Sequence, residues 1–364
     1  MGGTGEVPGL KGVRSMGMES GHGVRNNRGA AHALGRLLIL LAVILPGAPA
    51  QGMEITPFRT GNLSPLAQIH GLPAPDSAHI LPRHGAEATF SADLANNLAT
   101  DESGSDAVVL DGETYRFALD LRYGFADGME GGIEIPVVTH AGGVLDDFVE
   151  WFHSAFGFGS GGRELFPRDR LLYLYQRDGS ERLRLEDEGA GIGDIHLTGG
   201  LRLYDDRAGA PRAVALRGAL KLPTGDSGRL RGSGGVDFSL WLAASDDYRL
   251  GNWGHLTLFS NAGGTVMGKG TVLKDQQRSL AGFGSLGFGW SPADWIAFKV
   301  QTLWHSSLYR GSALRELSNG SLVITSGGTL ALAERTTLDI GVSEDLSVKT
   351  APDVVFHFAL RQRF

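Results

Sequence analysis

The chain of 364 residues contains no cysteine, so it can form no disulfide and cannot carry a lipoprotein-type lipid. The same absence excludes thiol chemistry and thiolate metal sites. No apolar run reaches the roughly 18 residues that a membrane-spanning helix needs, and the mean hydropathy is near zero. A formal net charge of −7 without any basic stripe argues against a nucleic-acid partner.

The longest apolar run, Leu37–Leu45, follows Arg36 and is followed by the residues PGAPA. A basic flank, a short apolar core and an Ala-x-Ala end are typical of a secretory signal peptide. We therefore expect residues 1–50 to be a leader that is cut near Ala50. The mature chain is then exported through the secretory pathway, which makes the bacterial outer membrane the expected location.

Apolar and polar residues alternate along much of the mature chain. Met129, Ile133 and Ile135, for example, alternate with Glu130 and Glu134. Successive side chains of a strand point to opposite faces, so this period indicates a sheet with one apolar face and one polar face. Twelve segments follow the pattern, near 88–94, 115–123, 129–137, 195–203, 212–223, 234–245, 253–266, 279–291, 294–306, 320–333, 335–344 and 352–364.

The connections between these segments alternate in length. Short links are expected near 124–128, 205–211, 246–252, 292–293 and 334. Longer links are expected near 99–111, 140–191, 224–233, 267–278, 307–319 and 345–351. Short periplasmic turns that alternate with longer external loops are typical of a transmembrane β-barrel, and an even strand count leaves both chain ends in the periplasm. The sequence thus predicts an all-β, antiparallel transmembrane barrel of about 12 strands.

The final segment ends in Phe364, and its apolar row resembles the C-terminal signal that outer-membrane barrels present to their assembly machinery. Aromatic residues near the ends of outward rows, such as Tyr123 and Trp304, suit the membrane interfaces. A water-soluble β-sandwich or jelly roll is the alternative, because its strands also alternate. It needs neither connections of alternating length nor a terminal aromatic residue.

We divide the mature chain into a Pro-rich segment, 51–85, and a barrel, 86–364. The segment is poorly periodic and is expected to lie in the periplasm or to plug the barrel. Within the barrel, 140–191 forms an extracellular insert. There, apolar residues from Leu145 to Phe156 repeat at helical spacing, and Asp178-Gly179 separates two alternating stretches, which predicts a short helix and a hairpin. The insert could act as a lid or constriction, or could merely cap the rim.

The polar rows predict the residues that face the lumen. Basic and acidic residues nearly balance, which favours pairing across a narrow lumen over the single-sign ring of a selective pore. A solvated lumen without a specific role stays open as the alternative. The predicted lumen residues are Arg116, Asp120, Arg122, Glu130, Glu134, Asp194, His196, Arg202, Arg217, Lys221, Asp237, Lys299, Asp339 and Arg361, with Glu87 and Asp93 on the same rows.

An enzymatic hypothesis rests on His305, Ser307 and Asn319. Their spacing is similar to that of the catalytic residues of outer-membrane phospholipases, where the serine is the nucleophile, the histidine is its base and the asparagine orients the histidine. Leu308 and Tyr309 follow where the phospholipase pattern has Asn-Gly, which counts against the match. The glycine-rich run 189–194 superficially resembles a nucleotide loop, but it opens a strand rather than a helix, so we interpret it as a strand entrance.

Several motifs, taken in order, resemble an uncharacterised family of bacterial outer-membrane barrels, the domain of unknown function number three-one-eight-seven. They are NLSPL from residue 62, GLP from 71, the 148–163 segment, GIGD from 191 and KLPTG from 221. The resemblance implies a barrel and supplies no catalytic residues. It draws attention to His153 and Arg163 in the external insert, which could bind an anionic solute or a lipopolysaccharide phosphate.

The function expected from the sequence is a passive channel or solute-transport barrel with a narrow, charge-paired lumen. The alternatives are a closed structural or ligand-binding barrel and, third, a lipid hydrolase. We expect no cofactor and no metal site. The expected partners are outer-membrane lipids with lipopolysaccharide, the barrel-assembly machinery and a small solute, but not nucleic acid.

Overall fold

The computed structural model describes residues 53–143, 169–206, 211–346 and 350–364. The leader, the helix predicted in the external insert and the candidates His153 and Arg163 lie outside these ranges. The described strands are β1 Ala86–Ser103, β2 Asp106–Ala126, β3 Met129–Ala141, β4 Leu172–Arg177, β5 Ser180–Leu185, β6 Gly189–Ile192, β7 Ile195–Asp206, β8 Arg212–Leu222, β9 Asp237–Arg249, β10 His255–Met267, β11 Leu280–Ala293, β12 Ile296–His305, β13 Ser321–Ala333, β14 Thr336–Asp345 and β15 Val354–Arg363.

Twelve of the strands, β1 to β3 and β7 to β15, form a closed antiparallel ring. The ring closes where β1 pairs with β15, from Glu87 opposite Arg363 to Asn96 opposite Val354. Closure leaves no free strand edge, so every ring strand has a hydrogen-bonding neighbour on both sides, as backbone in lipid requires. The predicted twelve-stranded barrel is confirmed, and the alternative of a β-sandwich or jelly roll is excluded.

The alternation of residues in β9 shows which face is which. Asp237 and Trp241 are 1% and 4% exposed, whereas Phe238, Leu240 and Leu242 are 46–49% exposed. Polar groups therefore point inward and apolar groups outward, the reverse of a water-soluble protein. An apolar outer band is the surface that a transmembrane barrel presents to lipid.

Three further strands lie beside the ring, at its long-loop end. β4 pairs with the end of β2 and with β5, and β6 pairs with β3. Asp178 and Gly179 join β4 to β5 with φ angles of 51° and 70°, as a two-residue hairpin turn requires. The predicted hairpin of the insert is thus confirmed. The prediction of a longer loop near 99–111 is wrong, because β1 and β2 continue there to a tight turn at Gly104.

Helix is scarce in the described ranges. One α-helix, α1, runs over Arg315–Ser318, and single 3-10 turns occur at Ser227–Arg229 and Gly251–Trp253. Among the described residues, no helix has the length and apolar character to cross a membrane.

Residues 53–85, which we call the N-terminal segment, pass through the inside of the ring. The Met53 carbonyl lies 3.1 Å from His255 at the short-turn end. The segment turns at 64–70, where Ala67 donates to the Ser64 carbonyl, and returns to the short-turn end, where Gly124 donates to the Gly85 carbonyl. The segment thus reaches the long-loop end and comes back before β1 begins.

A cluster of buried apolar side chains, which we call the loop-end core, covers the long-loop end. It combines Leu66 and Ile69 of the N-terminal segment with Tyr173 and Tyr175 of β4 and with loop residues such as Leu314. All five are 4% exposed or less. The turn of the N-terminal segment is therefore embedded in apolar loop packing. The rest of the segment meets the strands through polar contacts and through small apolar clusters, such as Ile55 with Phe259 and Leu63 with Val355.

Candidate functional site

A cluster of ion pairs crosses the lumen at the level of Arg59. The guanidinium of Arg59 lies 3.3 Å from Asp76, 3.0 Å from Asp120 and 3.4 Å from Glu134. Arg116 donates to the other oxygen of Glu134. Two residues of the N-terminal segment, Arg59 and Asp76, are thereby tied to β2 and β3.

Asp76 is bound most closely by Arg122, which donates from both terminal nitrogens at 2.9 and 2.7 Å and from Nε to Asp120 at 2.8 Å. Two parallel N–H bonds to one carboxylate form the strongest common ion-pair geometry. Arg217 extends the cluster by donating to Glu130 at 2.7 Å. The cluster contains equal numbers of the two signs, namely Arg59, Arg116, Arg122 and Arg217 with Asp76, Asp120, Glu130 and Glu134.

The backbone of the N-terminal segment is held as well. Arg217 donates to the carbonyls of Ser77 and His79 at 2.6 and 3.1 Å. On the opposite wall, the amide of Gln301 accepts from the Phe58 N–H at 3.0 Å and donates to the Phe58 carbonyl at 3.2 Å. A side-chain amide there replaces the partner that a neighbouring strand would give.

Lys299 makes a second attachment to that wall. Its ammonium lies 3.0 Å from both Asp339 and the Thr56 carbonyl, and 3.9 Å from the centre of the Phe58 ring. The lysine is 1% exposed, so the carboxylate and the ring are what make its burial tolerable.

Lys221 ties the loop after β8 to the wall. It donates to Asp194, to Ser233 Oγ at 2.8 Å and to the Gly235 carbonyl at 2.8 Å, and it lies 3.5 Å from Asp237.

A third attachment joins β1, β15 and the N-terminal segment. Asp93 lies 2.7 Å from His357 Nδ1 and accepts from the Thr60 hydroxyl at 2.9 Å.

The structure brings most of the predicted lumen residues together in these groups. Their side chains are buried, or half-buried for Arg116, His196 and Arg361. Arg202 differs: its side chain is 40% exposed at the end of β7, where its nearest carboxylate is Asp205 at 3.9 Å. Arg202 still pairs with Ala215 of the inward row, so its exposure reflects its position near the end of the strand.

The partners in the N-terminal segment were missed by the sequence reasoning. Arg59 and Asp76 belong to a stretch without period, so no strand pattern assigns them a face. The available signal was that the segment mixes these charges with apolar residues such as Ile55, Phe58 and Ile69. A solvated periplasmic tail has little reason to carry such residues.

A cavity of about 90 Å³ remains between the N-terminal segment and the wall. Its lining includes Arg59, Arg116, His196, Trp241 and His305. The described residues contain no group of three or more His, Asp or Glu placed to hold a metal ion.

The three residues of the hydrolase hypothesis do not form a catalytic arrangement in the structure. His305 bonds through Nε2 to Asn62 at 2.9 Å and through Nδ1 to the Ser306 carbonyl at 2.9 Å. The Ser307 hydroxyl donates to the Tyr309 carbonyl at 2.6 Å. Both groups are thus hydrogen-bonded to other partners.

The closed ring, the apolar outer face and the charged interior define a bacterial outer-membrane β-barrel. More particularly, the chain belongs to the family described as "Protein of unknown function (DUF3187)", whose model matches residues 36–364. No curated protein sequence shows significant similarity to the chain.

The fold is also found in a solved structure. The COG4313 outer membrane channel from Pseudomonas putida F1 superposes with a TM-score of 0.52 at 13% identity, over 80% of this chain and 100% of that one. The NanC porin gives a TM-score of 0.41 at 8% identity, over 76% and 97%.

Proposed function

We propose that the protein is an outer-membrane channel for small polar solutes, and that its N-terminal segment keeps the lumen narrow. The observation that carries the proposal is the kind of contact between segment and wall. Arg59, Asp76 and Thr60, together with the backbone of residues 56–79, meet the strands through ion pairs and hydrogen bonds.

These ion pairs and hydrogen bonds can be replaced by hydrogen bonds to water. If the segment shifts, the charges of both partners face an aqueous lumen and are solvated, so the shift loses only the small difference between protein and water hydrogen bonds. An apolar plug would instead expose hydrocarbon on both sides. The polar contacts are therefore suited to exchange, whereas the apolar contacts of Ile55 and Leu63 oppose movement of the segment.

The likeness to the Pseudomonas putida barrel supports the proposal, since that protein is an outer membrane channel. The balanced charges suggest little preference for ions of one sign. The chain is proposed to reach the outer membrane by cleavage near Ala50 and recognition of Phe364 by the barrel-assembly machinery, and its apolar outer face is proposed to contact the lipids and lipopolysaccharide there.

A closed, ligand-binding barrel is the second candidate, and the loop-end core favours it. Leu66 and Ile69 are anchored among apolar loop residues, so opening at this end requires moving them. In that case the segment is a permanent filler.

Single-channel conductance in a planar bilayer separates the two. The refolded mature chain is compared with one variant that lacks residues 54–82 and with another that lacks 145–187. Current from the intact chain supports the channel. If the intact chain is silent at rest but conducts at some voltage or with some solute, and a deletion conducts throughout, the deleted part is the gate. If the intact chain stays silent under every condition and a deletion conducts, the deleted part is a permanent filler and the closed barrel is favoured. Silence from all three contradicts the channel proposal.

A further inference from the structure

Two cavities inside the ring share part of their lining. One has a volume of about 90 Å³, and the other has a volume of about 10 Å³, which is room for about one water molecule. Arg59, Asp76 and Arg122 line both cavities, and we call these three residues the partition. Asp76 lies 3.3 Å from Arg59 and 2.7 Å from Arg122, so both cavities border the same group of ion pairs.

The positions of the other lining residues place the two cavities on opposite sides of the partition. The large cavity reaches Arg116 on β2 and Pro136 on β3, which lie nearer the long-loop end than Arg122 does. The small cavity reaches Glu87 at the start of β1 and Glu130 at the start of β3, at the short-turn end. The partition therefore separates two spaces that follow one another along the barrel axis.

The charged side chains that line the large cavity are partly accessible. Those of Arg116, Glu134 and His196 are 17%, 12% and 15% exposed. On β12, by contrast, Lys299 and Gln301 are 1% exposed, line neither cavity and donate to carbonyls of the N-terminal segment. A solute in the large cavity can therefore contact the charges of β2, β3 and β7, but not those two side chains.

The small cavity lies next to the short-turn mouth of the barrel. Its lining includes Arg363, whose side chain is 36% exposed and lies 2.7 Å from Glu54 and 2.9 Å from Glu87. A solute on this side of the partition is therefore surrounded by charged groups that water also reaches.

From these observations we infer that the two cavities belong to one axial path for water and small solutes, and that the partition of Arg59, Asp76 and Arg122 is its narrowest and charge-selective point. The inference rests on the proposed function, because it says where in the channel the solute passes. The path opens when Asp76 separates from the two arginines. Because basic and acidic residues are balanced around the partition, removing one charge of either sign should create a preference that the intact barrel lacks.

Cysteine labelling tests which wall the path follows, since the chain has no cysteine of its own. Thr198 of β7 lines the large cavity, whereas Thr325 of β13 is 1% exposed and lines neither cavity. Each is replaced by cysteine, and the refolded barrel is treated with aminoethyl methanethiosulfonate. The reagent transfers about four non-hydrogen atoms, which a cavity of about 90 Å³ can hold.

We expect Thr198→Cys to be modified about tenfold faster than Thr325→Cys, because access limits the reaction of a thiol. Mass spectrometry measures both rates, and modification of Thr198→Cys should also reduce the single-channel current. Equal rates overturn the inference.

Charge removal tests the partition itself. Asp76→Asn should shift the permeability ratio of K⁺ to Cl⁻ about fivefold toward Cl⁻, and Arg59→Gln should shift it about as far toward K⁺, as one unit charge about 4 Å from an ion in water predicts. Asp246→Asn and Arg212→Gln are the matched controls, because this pair is exposed at the short-turn end, and they should leave the ratio unchanged. Shifts of the same sign in both partition variants, no shift, or equal shifts in the controls overturn the selective role.

Labelling keeps this inference separable from the proposed function. A barrel that conducts while Thr198→Cys stays unmodified, or whose current is unchanged after modification, overturns the path and leaves the channel. A silent barrel in which Thr198→Cys is still modified faster than Thr325→Cys overturns the channel and supports access of water and small solutes along this wall.

Discussion

Arg59 of the N-terminal segment lies 3.0 Å from Asp120 of β2, joining residues 61 positions apart in sequence across the lumen. The pair fixes a stretch without secondary structure to the wall of the barrel. Arg59 also faces Asp76 and Glu134, so its loss removes one positive charge from three carboxylates at once.

Arg59→Leu is therefore expected to lower the free energy of unfolding by about 3 kcal/mol, the usual result of removing one partner from a buried ion pair. Urea unfolding of the barrel in lipid measures it. Adding Asp120→Asn should recover part of the loss, because the cluster then again contains equal numbers of basic and acidic residues. Arg212→Leu, at an exposed pair with Asp246, is the matched control and should change little. A loss in Arg212→Leu as large as in Arg59→Leu would contradict this reading.

The ring could be predicted from the sequence because its strands obey a local rule. In β9, each residue's face follows from its neighbours two positions away, whatever strand lies beside it. The rule fails near 99–111, where the β1–β2 hairpin extends beyond the apolar band. Its Asp101, Glu102 and Ser103 meet water on both faces, so the alternation that identifies a strand is lost.

The sequence predicted the wall residues of the candidate site but not their partners in the N-terminal segment. Alternation assigned Asp120, Arg122 and Glu134 to the lumen, but the partners Arg59 and Asp76 lie in irregular backbone, where no period exists. Pairings of this kind depend on the register of a closed ring and on the path of the chain inside it. Neither is encoded in short-range spacing.

Two glycines at the turn between β9 and β10 offer a test of backbone strain. Gly251 and Gly254 both have positive φ, 61° and 79°. A Cβ at Gly254 would lie 1.8 Å from the Ser291 carbonyl oxygen, whereas one at Gly251 meets nothing within 4 Å. Gly251→Ala should lower the free energy of unfolding by about 1 kcal/mol, because alanine rarely adopts a positive φ. Gly254→Ala should lower it by about 3 kcal/mol, because the backbone must also shift to relieve the clash. Thermal unfolding compares the two, and equal costs would refute the clash.

His70 should make the barrel sensitive to acid. Burial lowers its folded pKa to about 3 from an ordinary value of 6.5. Between these values the unfolded chain binds the proton and the folded chain does not, so the free energy of unfolding falls as pH falls. From pH 6.5 to pH 4 the expected loss is on the order of 3 kcal/mol.

His70→Gln keeps a donor for Tyr309 and should remove that part of the pH dependence. Lys221 and His305 also act electrostatically on His70, so urea unfolding is measured at several pH values. His84→Gln, at an exposed histidine, is the matched substitution. An unchanged slope in His70→Gln would show that other groups cause the acid sensitivity.

Ser307 is expected to have a structural role. Its hydroxyl donates to the Tyr309 carbonyl at 2.6 Å, and His305 is hydrogen-bonded to Asn62. Ser307→Ala should lower stability by about 1 kcal/mol and leave the fatty-acid release from phospholipid vesicles at the background level of the wild type. Release by the wild type that disappears in Ser307→Ala would restore the hydrolase hypothesis.

A disulfide between the N-terminal segment and the wall can decide whether that segment must move. A Cβ at Gly289 would lie 2.4 Å from Cγ2 of Ile55. Since Cγ2 is one bond of about 1.5 Å from its own Cβ, the two Cβ atoms can approach the roughly 3.8 Å that a disulfide needs. The chain has no other cysteine, so Ile55→Cys with Gly289→Cys can form only this bridge within one chain. If movement of the segment opens the lumen, oxidation abolishes the channel openings of the double variant and a reductant restores them. Gly289→Cys alone should respond to neither treatment. Identical currents in the oxidised and reduced protein would mean that solutes pass while residue 55 stays in place, which would contradict the proposed movement of this part of the segment.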